Sequence, residues 1–481
     1  MEKKDKRYQA YLRILKEELV PAMGCTEPIA LAYCAAKARE ILGCMPDSVL
    51  VEASGNIIKN VKSVVVPNTN GLKGMGAAAA AGIVAGEADR ALEVIAGVTE
   101  GQKEEISRFL KAGKIQVRPM DTEEVLDMAV TLWKGGEEAR VQISRSHTNI
   151  VLIEKDGEAL YREKCADKVL RAAEDADNDG GQGAVGCKPE AGTKGGNREE
   201  ADRALLNMEA IYDFAETVDP DDVREVIGRQ IALNTAISEE GLKGNYGANI
   251  GRVLLHTYGN DIKNRAKAAA AAGSDARMSG CEMPVVINSG SGNQGMTVSL
   301  PVIEYAKELG CPEEKLYRAL VLSNLTAIHQ KSGIGRLSAY CGAVSAGCAA
   351  GCGIAYLQGG DLEAVNHTLV NALAIVSGII CDGAKPSCAA KIASSVDAGI
   401  LGYAMYREGQ QFYGGDGIIS KGVEKTIGNV GRLGKDGMKE TDKEIIRIMT
   451  GCSGKAPAAV KDGKKAYYSS GCFWKKSSKS A

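Results

Sequence analysis

Aromatic side chains are scarce in this chain: Phe, Trp and Tyr make up 5% of its 481 residues. A protein so short of rings lacks the stacking platforms that single-stranded nucleic acids use. Charge of one sign is missing too. Fifty-nine Lys and Arg stand against 61 Asp and Glu, so no basic surface for nucleic acid is expected. The opening MEKKDKRYQAYLRILKEELV has the pattern of a charged amphipathic helix and no apolar signal-peptide core. Residues 337–360 carry no charge and are long enough to span a bilayer. They consist of Gly, Ala, Cys and Ser with few Leu, Ile or Phe, so they would insert poorly and are read as a buried helix. Histidine is rare, with four copies, and no C-x2-C pair occurs, which argues against zinc ribbons and knuckles.

Cysteine, by contrast, is plentiful. Fourteen cysteines without a secretory signal point to free thiols in a reducing compartment, and a cytoplasmic enzyme is expected. Five of them fall between Cys341 and Cys388, in CGAVSAGCAAGCGIAY and IICDGAKPSCAAKI. Thiolates are soft ligands for zinc or an iron–sulfur centre. Cys341, Cys348 and Cys352 share one helix face and can equally be small packing residues. Cys348 would lie about 10 Å along the axis from Cys341, long for one small cluster, so Cys348 and Cys352 are assigned to packing. Cys381 and Cys388 flank a DGAKPS turn. Cys341, Cys381 and Cys388 are thus candidate ligands of a [4Fe-4S] cluster with one iron open to substrate.

The pattern along the chain divides it into four parts. Residues 1–172 mix helices and strands, with strands expected at 48–53 and 61–66 and a hairpin around SRSHTN (141–143 with 150–154). Residues 173–200 are Gly-rich and polar, a linker or surface loop. Residues 201–452 read as almost wholly helical, with helices over 201–217 and 221–238 and a last one closing near residue 450. A tail, 453–481, follows. The fold class expected is an α+β N-terminal domain followed by a mainly α-helical catalytic domain.

Three further motifs carry chemistry. PVVINSGSGNQGMTVSLPV (284–302) is an apolar run, a Gly/Ser loop and a helix start. Its amides can hold a carboxylate or a phosphate, with Asn288, Ser289, Gly290, Ser291, Gly292 and Asn293 as candidate substrate-binding residues. The loop also suits a pyridoxal phosphate enzyme with Lys263 or Lys267 upstream. In GCTEP, Cys25 sits at a helix start where Thr26 can cap and Pro28 suits the first turn, which would lower the thiol pKa and make it a base or nucleophile. His147, in the SRSHTN loop, is either a structural histidine or a substrate contact.

As an ordered set, GCTEP (24–28), VPNTNG (66–71), SHTN (146–149), EEGLKGNYG (239–247), NSGSGNQG (288–295) and Cys341/Cys381/Cys388 resemble one family over about residues 8–452. It is the cysteine desulfidase-like branch of the bacterial iron–sulfur L-serine dehydratases, related to the serine dehydratase alpha chain. The resemblance implies β-elimination from L-cysteine, or alternatively L-serine, with Cys341, Cys381 and Cys388 as cluster ligands and Cys25 as base or fourth ligand. It implies a small amino-acid substrate, no nucleic-acid or membrane partner, and leaves a homodimer open. The chain departs from the serine enzymes in two places: they carry a Pro-Thr-Asn-Gly-like loop at NSGSGNQG and a Ser-Ser-His-Thr-like stretch at GCTEP. Residues 175–200 have no counterpart. A pyridoxal phosphate dehydratase and a non-catalytic cluster-bearing redox sensor are the competing readings.

Overall fold

A computed structural model describes residues 1–163, 202–335 and 337–450. The expected linker at 173–200 and the tail at 453–481 lie outside the described residues. Helix α1 (Lys6–Glu18) begins where Asp5 accepts the Arg7 amide, and it buries Tyr8, Tyr11, Ile14 and Leu15 on one face. Tyr8 and Tyr11 stand edge-on to Phe214, with ring centroids 5.0 and 5.3 Å away. The first helix therefore packs on the helical half of the molecule.

The α/β half follows. A short strand β1 (Pro21–Met23) leads into α2 (Thr26–Leu42), then β2 (Ser48–Ala53), α3 (Gly55–Val61), α4 (Gly74–Ala85) and α5 (Glu100–Lys111). Strands β3 (Ile115–Pro119), β4 (Asp127–Lys134), β5 (Glu137–Ser144), β6 (Ile150–Lys155) and β7 (Glu158–Arg162) complete it. The sheet order is β3-β2-β4-β5-β6-β7, with β2 and β3 parallel and every other neighbour antiparallel. Helix α2 covers this sheet, and its Cys34 thiol reaches the Val141 carbonyl at 3.2 Å. Helix α4 presses on α2 so tightly that a Cβ at Gly82 would fall 2.1 Å from the Ala32 carbonyl oxygen.

The strand at 48–53 and the SRSHTN hairpin are present, but the strand expected at 61–66 is not. The Ser54 side chain accepts the Ile57 amide and starts α3, which runs through Val61. Of the remaining residues only Val65 pairs, in an isolated bridge with Lys73.

The helical half contains α6 (Met208–Thr217), α7 (Pro220–Lys243), α8 (Ile250–Tyr258), α9 (Ile262–Met278), β8 (Pro284–Val286), α10 (Gly292–Glu308) and α11 (Glu313–Ile334). It continues through α12 (Gly342–Leu357), α13 (Leu362–Val376), α14 (Ser387–Arg407), α15 (Val423–Arg432) and α16 (Lys439–Thr450). The helix expected over 201–217 is interrupted: Asp202 and Arg203 are helical, 204–207 are not, and a new helix starts at Met208, capped by the Asn207 side chain accepting the Ala210 amide. Helices α12 and α14 meet backbone to backbone: a Cβ at Gly399 would lie 2.4 Å from the Gly347 carbonyl oxygen. Small residues in the uncharged stretch thus serve a tight helix seam, and Cys348 and Cys352 are fully buried in it. Among the described residues no helix is long and apolar enough to cross a membrane.

The halves meet at several places. Strands β1 and β8 pair antiparallel, Pro21 opposite Val286 and Met23 opposite Pro284. On another side α16 lies over α3, where buried Lys59 forms an ion pair with Asp442 and the Lys62 ammonium donates to the Met449 carbonyl at 2.6 Å.

Candidate active site

A cavity between the halves is lined by the starts of four helices. Cys25 is the N-cap of α2, Ser291 of α10 and Cys341 of α12, while Cys388 lies in the first turn of α14. No side chain caps any of these four starts. Their amides and dipoles give the wall a positive potential suited to thiolates and other anions.

All three candidate ligands line this cavity. Residues flanking Tyr340 and Ile380 pair across an isolated bridge: the Cys341 amide donates to the Ile379 carbonyl at 3.1 Å and the Cys381 amide to Ala339 at 2.6 Å. This sets Cys381 beside Cys341. The following turn bends at Gly383, where a Cβ would strike the Lys59 carbonyl oxygen at 2.5 Å, and brings Cys388 to the same wall. Lys385 and Lys391 both hold Asp382, and the Lys391 ammonium donates to the Ile380 carbonyl at 2.9 Å. Burial, followed by the neighbouring Cys381, pushes the Cys341 thiol up to about 12, and burial likewise raises Cys388.

The donor chemistry of these residues suits an iron–sulfur cluster: three thiols line one cavity, with helix starts behind them. Among the described residues no three His, Cys, Asp or Glu converge as a single metal ion requires.

Cys25 does not have the lowered pKa expected of a helix start. It is 3% exposed, and its Sγ donates to Glu27 Oε2 at 3.1 Å. Burial and then the Glu27 charge push the thiol well above its ordinary value, and the opposing effect of Arg277 is smaller. Thr26 does not cap either; its hydroxyl donates to the Gly290 carbonyl. Burial also pushes the Glu27 carboxyl up, but His147, the Cys25 thiol and Arg277 together hold it below the ordinary value. His147, presented by the turn between β5 and β6, is buried and lines the cavity.

The 288–295 loop is a tight two-residue turn with Ser289 and Gly290 at φ 50° and 78°. Ser289, Gly290, Ser291 and Asn293 line the cavity. Asn288 does not. Its side chain amide points into the core, donating to Asn324 Oδ1 at 2.9 Å. Gly292 makes room for a neighbour, since a Cβ there would lie 2.4 Å from Arg277 Nε. Lys263 and Lys267 are absent from the lining and both reach Asp397, at 3.4 and 3.0 Å, so neither serves as a Schiff-base lysine here.

Arg277 is the residue that sequence reasoning missed most plainly. Its side chain is 2% exposed and lines the cavity. Nη1 donates to Asn293 Oδ1 at 3.2 Å, while Nε and Nη2 have no partner. A buried guanidinium with two unsatisfied donors is a built receptor for a carboxylate.

Residues 89–447 match the family described as the serine dehydratase alpha chain. The chain belongs to that family. Its relatives include the UPF0597 protein DSY1109 of Desulfitobacterium hafniense, 59% identical over 93% of this chain and 98% of the relative. A UPF0597 protein of Lachnoclostridium phytofermentans is 52% identical over 92% and 99%, and one of Treponema denticola 46% identical over 92% and 98%. Membership of the serine dehydratase alpha chain family points to a lyase of the amino-acid dehydratase type. Cys341, Cys381, Cys388 and Arg277 fall inside the matched stretch; Cys25, Glu27 and Asn60 precede it.

Besides Arg277, the lining includes Glu27, Asn60, Gln294 and Tyr340. Gln294 belongs to the NSGSGNQG loop already expected at the site, and Glu27 had a signal in its place within GCTEP; Asn60 and Tyr340 were missed.

Proposed function

We propose that the protein is an iron–sulfur-dependent lyase that eliminates the β-substituent of a small L-amino acid, with L-cysteine the favoured substrate. The products would be hydrogen sulfide and aminoacrylate, which hydrolyses to pyruvate and ammonia. The observation that carries this reading is one cavity holding three thiols, a further thiol on a carboxylate and a guanidinium with unsatisfied donors.

Cys341, Cys381 and Cys388 would hold the cluster, which when bound supplies a Lewis acid for the departing sulfur or oxygen. Arg277 Nε and Nη2 bind the substrate carboxylate in a two-pronged contact, with Asn293 steadying the guanidinium from Nη1. Fixing the carboxylate fixes the direction of the Cα–H bond. Cys25 takes that proton on Sγ. It first has to lose its own; the S–H points at Glu27, but with the thiol held above and the carboxyl below their ordinary values the proton stays on sulfur until bound substrate changes that balance. Burial of the pair keeps water from competing for the carbanion.

L-Serine dehydration by the same residues is the second reading, favoured by the family match. Anaerobic purification with iron and acid-labile sulfide counted per chain, followed by pyruvate and sulfide assays, tests both. Pyruvate from L-cysteine at higher kcat/KM than from L-serine is expected. Faster serine turnover would favour the second reading, and no pyruvate from either would overturn both.

A further inference from the structure

Arg277 lines the cavity and has unsatisfied donors; a second lining residue has an unsatisfied acceptor. Asn60, on α3, is 5% exposed and lines the same cavity. Its Nδ2 donates to Glu27 Oε1 at 3.0 Å, and its Oδ1 has no partner. The carboxylate fixes which way the amide points, because only the NH2 side can face Glu27. Oδ1 is therefore left as a buried acceptor beside an acidic side chain. Such an orphan costs free energy unless a donor occupies the space. A donor that satisfies an amide oxygen and a carboxylate together is a cation with several N–H bonds.

We infer that Asn60 Oδ1 and Glu27 form a subsite for a protonated primary amine. It is paired with the Arg277 carboxylate subsite, so that the cavity selects α-amino acids by both charged ends. This rests on the amino-acid reading above and adds the residues that recognise the ammonium. The helix bearing Asn60 is held from both sides. Ser54 caps its start, and Lys59 is fixed by Asp442. Acceptors on α3 and donors on α9 thus belong to opposite halves of the molecule, and an α-amino acid bridges them. Compounds lacking the amine, such as 2-hydroxy acids and 3-mercaptopropionate, keep only the Arg277 contact.

The test uses two truncated ligands that cannot undergo elimination of an α-amino acid. 3-Mercaptopropionate has the carboxylate and no amine; cysteamine has the amine and no carboxylate. Their Kd values are measured by anaerobic calorimetry on the full-length, cluster-loaded protein and on Asn60→Leu, Glu27→Gln and Arg277→Met. Asn60→Leu should weaken cysteamine by about 10–100-fold and leave 3-mercaptopropionate within about twofold, and Arg277→Met should do the reverse. Glu27→Gln, nearly isosteric, should follow Asn60→Leu and covers the case in which the leucine variant fails to fold. Equal weakening of both ligands by Asn60→Leu and Glu27→Gln, or unchanged cysteamine binding, overturns the subsite, as does failure of wild type to bind cysteamine. If the ligand pattern holds while L-cysteine and L-serine give no pyruvate, the lyase reading falls and the ammonium subsite stands.

Discussion

The Thr26 hydroxyl donates to the Gly290 carbonyl at 2.8 Å, joining residues 264 positions apart. GCTEP and NSGSGNQG, two motifs with no sequence relation, are therefore one unit of the cavity wall. Thr26 is the first helical residue of α2, after the N-cap Cys25, whose side chain makes no cap bond, so the α2 start stays open.

Replacing Thr26 by valine keeps the shape and removes the bond. The Gly290 carbonyl then lacks this donor, at a cost of about 1–3 kcal/mol. Thr26→Val should lower the unfolding midpoint and raise KM for the amino acid, with iron content unchanged. A KM equal to wild type would show that the tie does not shape the loop.

The ligand assignment separates the cysteines by position. Cys341→Ser, Cys381→Ser and Cys388→Ser should each lose iron and acid-labile sulfide. Cys348→Ala and Cys352→Ala should keep both and lose only stability, about 1–2 kcal/mol each for a small cavity in the α12 seam. Full iron in Cys381→Ser would remove that residue from the ligand set.

Cys25, whose Sγ donates to Glu27 Oε2, carries the proposed role of base. Cys25→Ala should retain iron and sulfide, bind 3-mercaptopropionate normally and lose turnover by about a hundredfold or more. Loss of iron before substrate is added would make Cys25 a ligand. Unchanged turnover would exclude both roles.

Asp275 gives a pH signature away from the chemistry. Its buried Oδ2 accepts the Gly251 amide at 3.3 Å, at the start of α8, and burial pushes its carboxyl up to about 6. A raised carboxyl pKa means that the folded state binds the proton more tightly than the unfolded chain. Its contribution is thus fully present below the ordinary value near 4 and is lost as pH rises through about 6. Asp275→Asn should be more stable than wild type at pH 7.5, by up to about 3 kcal/mol, and indistinguishable from it at pH 4. Denaturant unfolding at the two pH values decides it, and an equal difference at both would refute the shift.

Much of this was legible in the sequence, and the failures have physical causes. The 48–53 strand and the SRSHTN hairpin showed in their apolar patterning, and the three cysteines in their turn and spacing. The VKSVVV run also looked like a strand, but the Ser54 cap upstream had already committed Gly55–Val61 to a helix. Asn60 lies one residue before that run, in a stretch with no motif to mark it. Loop composition identified 288–295 as a wall without telling which side chains turn inward, and Asn288 turned toward Asn324. Arg277 was invisible because AAAAAGSDARMSG reads the same whether its one arginine is solvated or buried. Cys25 shows a contest that motif grammar cannot decide: the helix start favours the thiolate, while enclosure beside Glu27 disfavours it more.

The β1–β8 ribbon also sets a timetable. Pro21 finds its partner only at Val286, so a ribosome working at about 5–20 residues per second needs roughly 13–50 s to supply it. Until then GCTEP has neither the loop that receives Thr26 nor the cysteines that complete the wall, which are made later still. No binding cavity exists on the nascent chain, and iron delivered early would meet isolated thiols. Loading of the proposed cluster would therefore belong to the finished polypeptide, and any pause in translation before residue 286 lengthens the exposure of the N-terminal motif.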